Sequence, residues 1–180
     1  MRIVGGEYRS RKLAGFKGEA IRPTADSVRE SLFNILRNRV EGCDFLDLYC
    51  GTGAVGLEAL SRGANSVTFN DISRESLAVL KKNLEILKIS GGVTVKNTDA
   101  AILLSGAKKD AEEKKFDIIY IDPPYAEGGE KVLPLAAVAL KKSGVAVYEN
   151  EKPFTGKAEG LKVADERKYG RVYLTFFERE

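Results

Sequence analysis

Asp122-Pro123-Pro124-Tyr125 places a carboxylate, two prolines and an aromatic ring directly after an apolar run. The prolines fix the backbone and remove two N–H donors. What remains is a rim of acceptors, the Asp122 carboxylate and the neighbouring carbonyls. An exocyclic amino group on a nucleobase suits such a rim. Its lone pair is delocalised into the ring, and acceptors on its two N–H groups favour the pyramidal geometry that frees it. Tyr125 offers a flat face for the base, a contact worth about 1–3 kcal/mol in single-stranded sites. Asp122, Pro123, Pro124 and Tyr125 are therefore the candidate catalytic set.

A second stretch has the layout of a ligand loop. An apolar run over 45–50 reads as a buried strand, Gly51, Gly53 and Gly56 follow at the spacing G-x-G-x-x-G, and a helical pattern starts at Ala54. Gly51 is expected to turn the chain out of the strand and Gly53 to clear space for a ligand. Gly56 is expected to let the helix sit close to the strand. The free N–H groups at the helix start then face the ligand. Asp71 ends the next apolar run, 20 residues after Gly51, the spacing of an acid that binds ribose hydroxyls. Asp47 stands four residues before Gly51, and Asp99 follows the third apolar run. Asp99 reads equally well as a helix cap.

The elements that position these residues alternate. Strands are predicted over 45–49, 66–70, 93–96, 116–121 and 145–148. Helices are predicted over 54–62, after Ser73, from near Asp99 and over 133–142, the last with Pro134 in its first turn. Before them, 1–22 reads as a small irregular β-hairpin. It leads into a helix over 25–39 with Val28, Leu32, Ile35 and Leu36 on one face, capped by Thr24 or by Ser27 in a capping box with Glu30. After them, two alternating runs around Tyr169-Gly170 read as an antiparallel hairpin at the sheet edge. This is an α/β pattern, a mostly parallel sheet with helices on both faces. Ligands in such folds sit at the carboxyl ends of the strands, where Asp47, Asp71, Asp99 and Asp122 fall. The 180 residues fit one domain, with 1–40 as an extension and 41–180 as the core.

Composition narrows the chemistry. The chain has no histidine, which excludes His-based triads and most zinc sites, and no metal is expected. Cys43 and Cys50 flank one strand and read as reduced core residues. No run approaches membrane-span length and no signal-peptide layout is visible, so a cytoplasmic protein is expected. Net charge is +3, but 1–22 alone carries six Lys/Arg against two Glu, a net +4. A basic arm on a near-neutral body points to a polyanion.

Taken together, these motifs resemble those of Rossmann-like methyltransferases that use S-adenosylmethionine. That cofactor carries no phosphate, and no lysine stands between Asp47 and Arg62. The D/N-P-P-Y/F motif marks members that modify exocyclic amino nitrogens. More specifically, the chain resembles the RsmD-type 16S rRNA guanine-N2 methyltransferases over nearly its whole length. The resemblance runs through Met1-Arg2-Ile3-Val4-Gly5-Gly6 with Arg9, Arg11, Lys12 and Leu13, then Arg22-Pro23-Thr24 with Val28-Arg29-Glu30-Ser31-Leu32-Phe33-Asn34, then the glycine loop and Asp122 to Tyr125. Cys50 and Thr52 replace a small residue and a serine common there, and Asp71 replaces the commoner Glu.

The resemblance implies that Asp47, Tyr49, Gly51, Gly53 and Asp71 hold S-adenosylmethionine, with Asp99 beside its adenine. It implies that Asp122, Pro123 and Tyr125 hold the target base and that Arg29 and Phe33 line the site. Arg9, Arg11, Lys12 and Arg22 would hold phosphates of 16S rRNA within an assembling small ribosomal subunit, the enzyme acting as a monomer. An adenine-N6 methyltransferase of DNA shares the Asp-Pro-Pro-Tyr chemistry but usually needs a target-recognition region for which this chain has no spare residues. A nicotinamide-dependent oxidoreductase is the more distant alternative.

Overall fold

In a computed structural model of the protein, residues 1–16, 23–106, 116–124 and 129–180 are described, 23–25 through their backbone alone. Arg22 and Tyr125 lie outside the described residues, as do the remaining expectations for 17–22, 107–115 and 125–128.

Seven strands form one sheet in the order β3-β2-β1-β4-β5-β7-β6. They are β1 (Asp44–Asp47), β2 (Ser66–Asn70), β3 (Val93–Lys96), β4 (Phe116–Ile121), β5 (Leu140–Asn150), β6 (Leu161–Tyr169) and β7 (Val172–Arg179). β1 to β5 pair in parallel, and β7 runs antiparallel to both β5 and β6. Strand order reverses between β1 and β4, so the carboxyl ends of those two strands border the crevice where such sheets bind ligands.

Side chains alternate across this sheet. Phe45, Ile118, Tyr120, Val145 and Val147 face one core, which also holds Leu32 and Phe33 of α1 (Pro23–Leu36), Leu57 of α2 (Ala54–Ser61) and Leu80 of α3 (Arg74–Leu87). Leu46, Ile119, Ile121, Ala146 and Tyr148 face the other, with Leu104 of α4 (Ala100–Gly106) and Leu133 of α5 (Leu133–Ala139). Helices thus cover both faces, as the alternation requires. Cys43 and Cys50 are free and buried, and burial pushes the Cys43 thiol up to about 12.

Several boundaries differ from expectation. α1 starts at Pro23, so Thr24 and Ser27 lie inside the helix and neither is its cap. A proline is favoured in that first position, because its missing N–H has no partner there in any case. The buried face of α1 is Val28, Arg29, Leu32, Phe33 and Leu36, while Ile35 is 38% exposed. α5 ends at Ala139, because Leu140 turns extended and pairs with Phe116 at the start of β4. Lys141, expected in the helix, instead donates from Nζ to Asp117 (2.8 Å) and Asp44 (3.2 Å) across two strands. Nothing local in 140–142 announces these partners.

The basic arm is built into the fold. Arg2 and Lys12 form an antiparallel bridge, the Ile3 N–H donates to Arg11 O (3.0 Å), and Ile3 is fully buried. The arm seats on α2 through Glu58, which is itself fully buried. The N–H groups of Val4 and Gly5 each donate to a Glu58 oxygen at 2.8 Å, as does Arg62 Nε. Arg29 Nε lies 3.5 Å from the same carboxylate. Lower down, the Asn83 amide of α3 accepts from Ala14 N–H (2.7 Å) and donates to Ala14 O and Thr52 O. Removing one partner from a buried charge cluster leaves the others uncompensated. Glu58→Ala is therefore expected to destabilise the protein by about 3–5 kcal/mol in urea unfolding. A loss under about 1 kcal/mol would mean that the arm holds by apolar packing alone.

Candidate active site

The described acids at the carboxyl rim arise from one property of a parallel sheet. All its strands end on the same side, so a residue at each strand end reaches one crevice. Asp47 ends β1, Asp71 follows β2, Asp99 follows β3, Asp122 follows β4, and Glu149 stands next to the end of β5. Sequence reasoning misses Glu149, although an acid directly after the apolar run over 145–148 is the available signal.

Two cavities open along this rim. The larger, about 710 Å³, is lined by Asp47, Gly51, Tyr120, Glu149, Arg29 and Arg171 among others. The smaller, about 350 Å³, is lined by Asn70, Asp71, Asp99, Pro123 and Pro124 among others. Tyr49 and Asp122 line both. The structure thus brings Asp47, Tyr49, Gly51, Asp71, Asp99, Asp122, Pro123, Pro124 and Arg29 to one crevice.

Local structure explains how the loop is held. Cys50 N–H donates to Asn70 O (2.9 Å), and Gly51 N–H donates to Asp71 Oδ2 (2.8 Å). The other Asp71 oxygen accepts from Ser73 N–H (2.8 Å), and Ser73 caps α3 by accepting from Ser76 N–H. Asp71 therefore braces the loop to α3 as well as lining the smaller cavity. Asp47 is 1% exposed and accepts from Gly56 N–H at 2.8 Å. Asp99 accepts from Ile102 N–H (3.0 Å), as a cap of α4 does, and also lines the smaller cavity.

Two expected site residues do not reach the crevice. Gly53 has φ +86°, and a Cβ there would collide with Leu80 Cδ1. Its lack of a side chain serves the turn and the packing of α3, not the approach of a ligand, and Gly53→Val strikes the fold itself. The open position is Gly51, where a Cβ would meet nothing within 4 Å. Phe33 is 1% exposed and stacks on Phe45 with centroids 6.4 Å apart, under the Arg62 guanidinium. It faces the sheet because α1 rolls its 28–32–36 stripe inward and Phe33 lies beside that stripe. Arg29 does line the larger cavity, but its guanidinium is held by Asp26 (3.0 Å), Glu58 and the carbonyl of Arg2. Arg9, Arg11 and Lys12 are exposed on the arm.

The electrostatics of the crevice are those of acids taken out of water. Burial, with Asp71 nearby, lifts the Asp47 carboxyl to about 7 against the Gly56 hydrogen bond. Burial, then Glu149, then Asp47 raise Asp122 well above the usual carboxylate range. Burial also raises Glu149, against a hydrogen bond donated by the Tyr120 hydroxyl.

A ligand rich in donors and carrying positive charge matches these walls. Asn70 lines the smaller cavity, and its Oδ1 is buried with no hydrogen-bond partner among the described residues. The open Gly51 face and the carboxylates suit an amino acid and a nucleoside joined without phosphate. Fold and site together define a Rossmann-like methyltransferase that uses S-adenosylmethionine. Within that class, the chain belongs to the family described as Conserved hypothetical protein 95, whose model matches residues 1–178.

The chain is 38% identical over 156 residues to YlbH of Bacillus subtilis, covering 84% of this chain and 83% of that protein. It is 41% identical over 128 residues to ribosomal RNA small subunit methyltransferase D of Escherichia coli. That match covers 71% of this chain and 62% of the relative, less than two thirds of its length. The solved structure of yhhF from Escherichia coli superposes with a TM-score of 0.84 at 33% identity, covering 100% of this chain and 98% of that one.

The Asp47 shift has a stability consequence. Between its ordinary 3.8 and about 7, the folded chain holds more protons than the unfolded one. Its contribution therefore falls as pH rises through that window and is level above it. In thermal melts of the ligand-free protein, Asp47→Asn should gain on the parent from about pH 4 to about pH 7. A difference independent of pH would show that Asp47 is ionised throughout.

Proposed function

We propose that this protein methylates the exocyclic N2 of one guanine in small-subunit rRNA, acting on an assembling subunit. The observation that carries this reading is the position of Asp122, which faces the two cavities at once and is followed by two prolines. The name of the Escherichia coli relative supports the RNA class, and the net charge of the arm supports contact with phosphates.

S-adenosylmethionine, when bound, supplies a methyl group activated on a sulfonium. Every other contribution comes from the chain and is mainly positional. Asp47 and the Gly51 face hold the amino-acid end, while Asp71, Asn70 and Asp99 hold the nucleoside end in the smaller cavity. The target base leaves its stack to enter the larger cavity. There Asp122 and the Pro123 carbonyl accept from its amino group and turn the nitrogen lone pair toward the methyl. The nitrogen gains a carbon and sheds one proton. Asp122, held above its usual range, is the acceptor beside it. Outside, Arg9, Arg11, Lys12 and the exposed Arg171 at the cavity wall hold phosphates.

The direct test supplies labelled S-adenosylmethionine and small subunits from cells lacking the enzyme, and maps the labelled nucleotide. With the same assay, Asp122→Ala should lose most of its turnover while S-adenosylhomocysteine binds with near-parental affinity. Parental turnover in that variant would make Asp122 structural. For the arm, neutralising Arg9, Arg11 and Lys12 together should make the slope of log K against log salt shallower by up to roughly 0.7–0.9 for each phosphate no longer held. An RNA titration over a salt series measures this, and an unchanged slope would leave the arm's charge facing only solvent.

A further inference from the structure

We propose that Glu149 reads the target base as guanine by accepting its ring N1–H, and that Tyr120 positions Glu149 to do so. The inference rests on the guanine-N2 reading above and deepens it. In the parallel register of β4 and β5, Ile121 lies opposite Tyr148. The next residues on the two strands, Asp122 and Glu149, therefore come side by side at the rim. Tyr120 and Val147 face the same core, so by strand alternation Asp122 and Glu149 point to that side too. Both line the larger cavity with Tyr120. The Tyr120 hydroxyl donates to Glu149 Oε2, which fixes the carboxylate and leaves Oε1 for a ligand.

Two adjacent acceptors call for two adjacent donors. Among the bases with an exocyclic amino group, guanine alone supplies them, N2–H beside N1–H. Adenine and cytosine each place a ring acceptor beside the amino group, and a carboxylate facing that lone pair is repelled. Asp122 therefore meets the reacting nitrogen, and Glu149 meets the neighbouring atom that distinguishes the base. A site with a buried group committed to a substrate N–H discriminates strongly against an analogue lacking it.

The test uses the full chain and RNA in which the target guanine is replaced by 2-aminopurine, which keeps the amino group but presents an acceptor at N1. The parent should prefer guanine in kcat/KM by on the order of 100-fold. Glu149→Gln, whose amide can donate to that acceptor, should cut the preference by roughly 10-fold or more. Its affinity for S-adenosylhomocysteine should be unchanged. Tyr120→Phe should lower the same preference, a ratio that a merely structural role would leave alone. A parental ratio near one overturns the proposal, as does a Glu149→Gln variant that slows both substrates equally. If Glu149→Gln does not fold, the parental ratio and Tyr120→Phe decide. A parent that methylates neither RNA fails the functional reading itself, and the inference with it.

Discussion

A carboxylate with no exposure to solvent must be surrounded by donors, and Glu58 organises one side of this protein by that requirement. It takes the Val4 and Gly5 N–H groups from the arm, Arg62 from just past the end of its own helix and Arg29 from α1. Two segments far from Glu58 in sequence, the arm and α1, are thereby tied to the helix that begins at the glycine loop. Met1 and Arg29 then stand in the wall of the larger cavity. A charge this deep is costly unless every partner is present, so the arm, α1 and α2 hold one arrangement.

The distribution of charge divides the work of recognition between outside and inside. The wall of the larger cavity carries Asp47, Asp122, Glu149 and Glu151, against Arg29, which is committed to acids, and Arg171. Arginines and a lysine stand exposed on the arm. An exterior of exposed cations attracts a polyanion, whereas a cavity lined by acids suits a base rich in donors. On the proposed reading, phosphates stay outside while one unstacked base enters, and no phosphate needs to pass the acids. The same burial that raises Asp47, Asp122 and Glu149 keeps them ready to gain stability from donors that arrive.

The glycine loop works by a division of labour that its spacing does not reveal. Gly51 leaves open space beside the cavity and Gly53 makes room for Leu80. A side chain at Gly56 would collide with Phe69 of β2, so that glycine lets α2 lie close to the sheet. The loop is then tied down by Asp71 and Asn70 from β2 and its end, and by Asn83 from α3. Its shape therefore depends on elements that come later in the chain.

The alternation of strands and helices, the parallel sheet and the rim on which Asp47, Asp71, Asp99 and Asp122 meet were all legible along the chain. Apolar periodicity and the position of an acid after each run are local properties, so β2, β3 and β4 were legible to the residue. The motifs also carried the methyltransferase class. What depends on partners distant in sequence emerged with the folded arrangement. Leu140 became strand because Phe116 was there to pair with, and Phe33 became core because α1 rolled it onto Phe45. Gly53 was claimed by Leu80 rather than by a ligand. Glu149 joined the site because the register of β5 against β4 set it beside Asp122 and under the Tyr120 hydroxyl. Each of these outcomes is a meeting of two segments, and no window along the chain contains both sides of it.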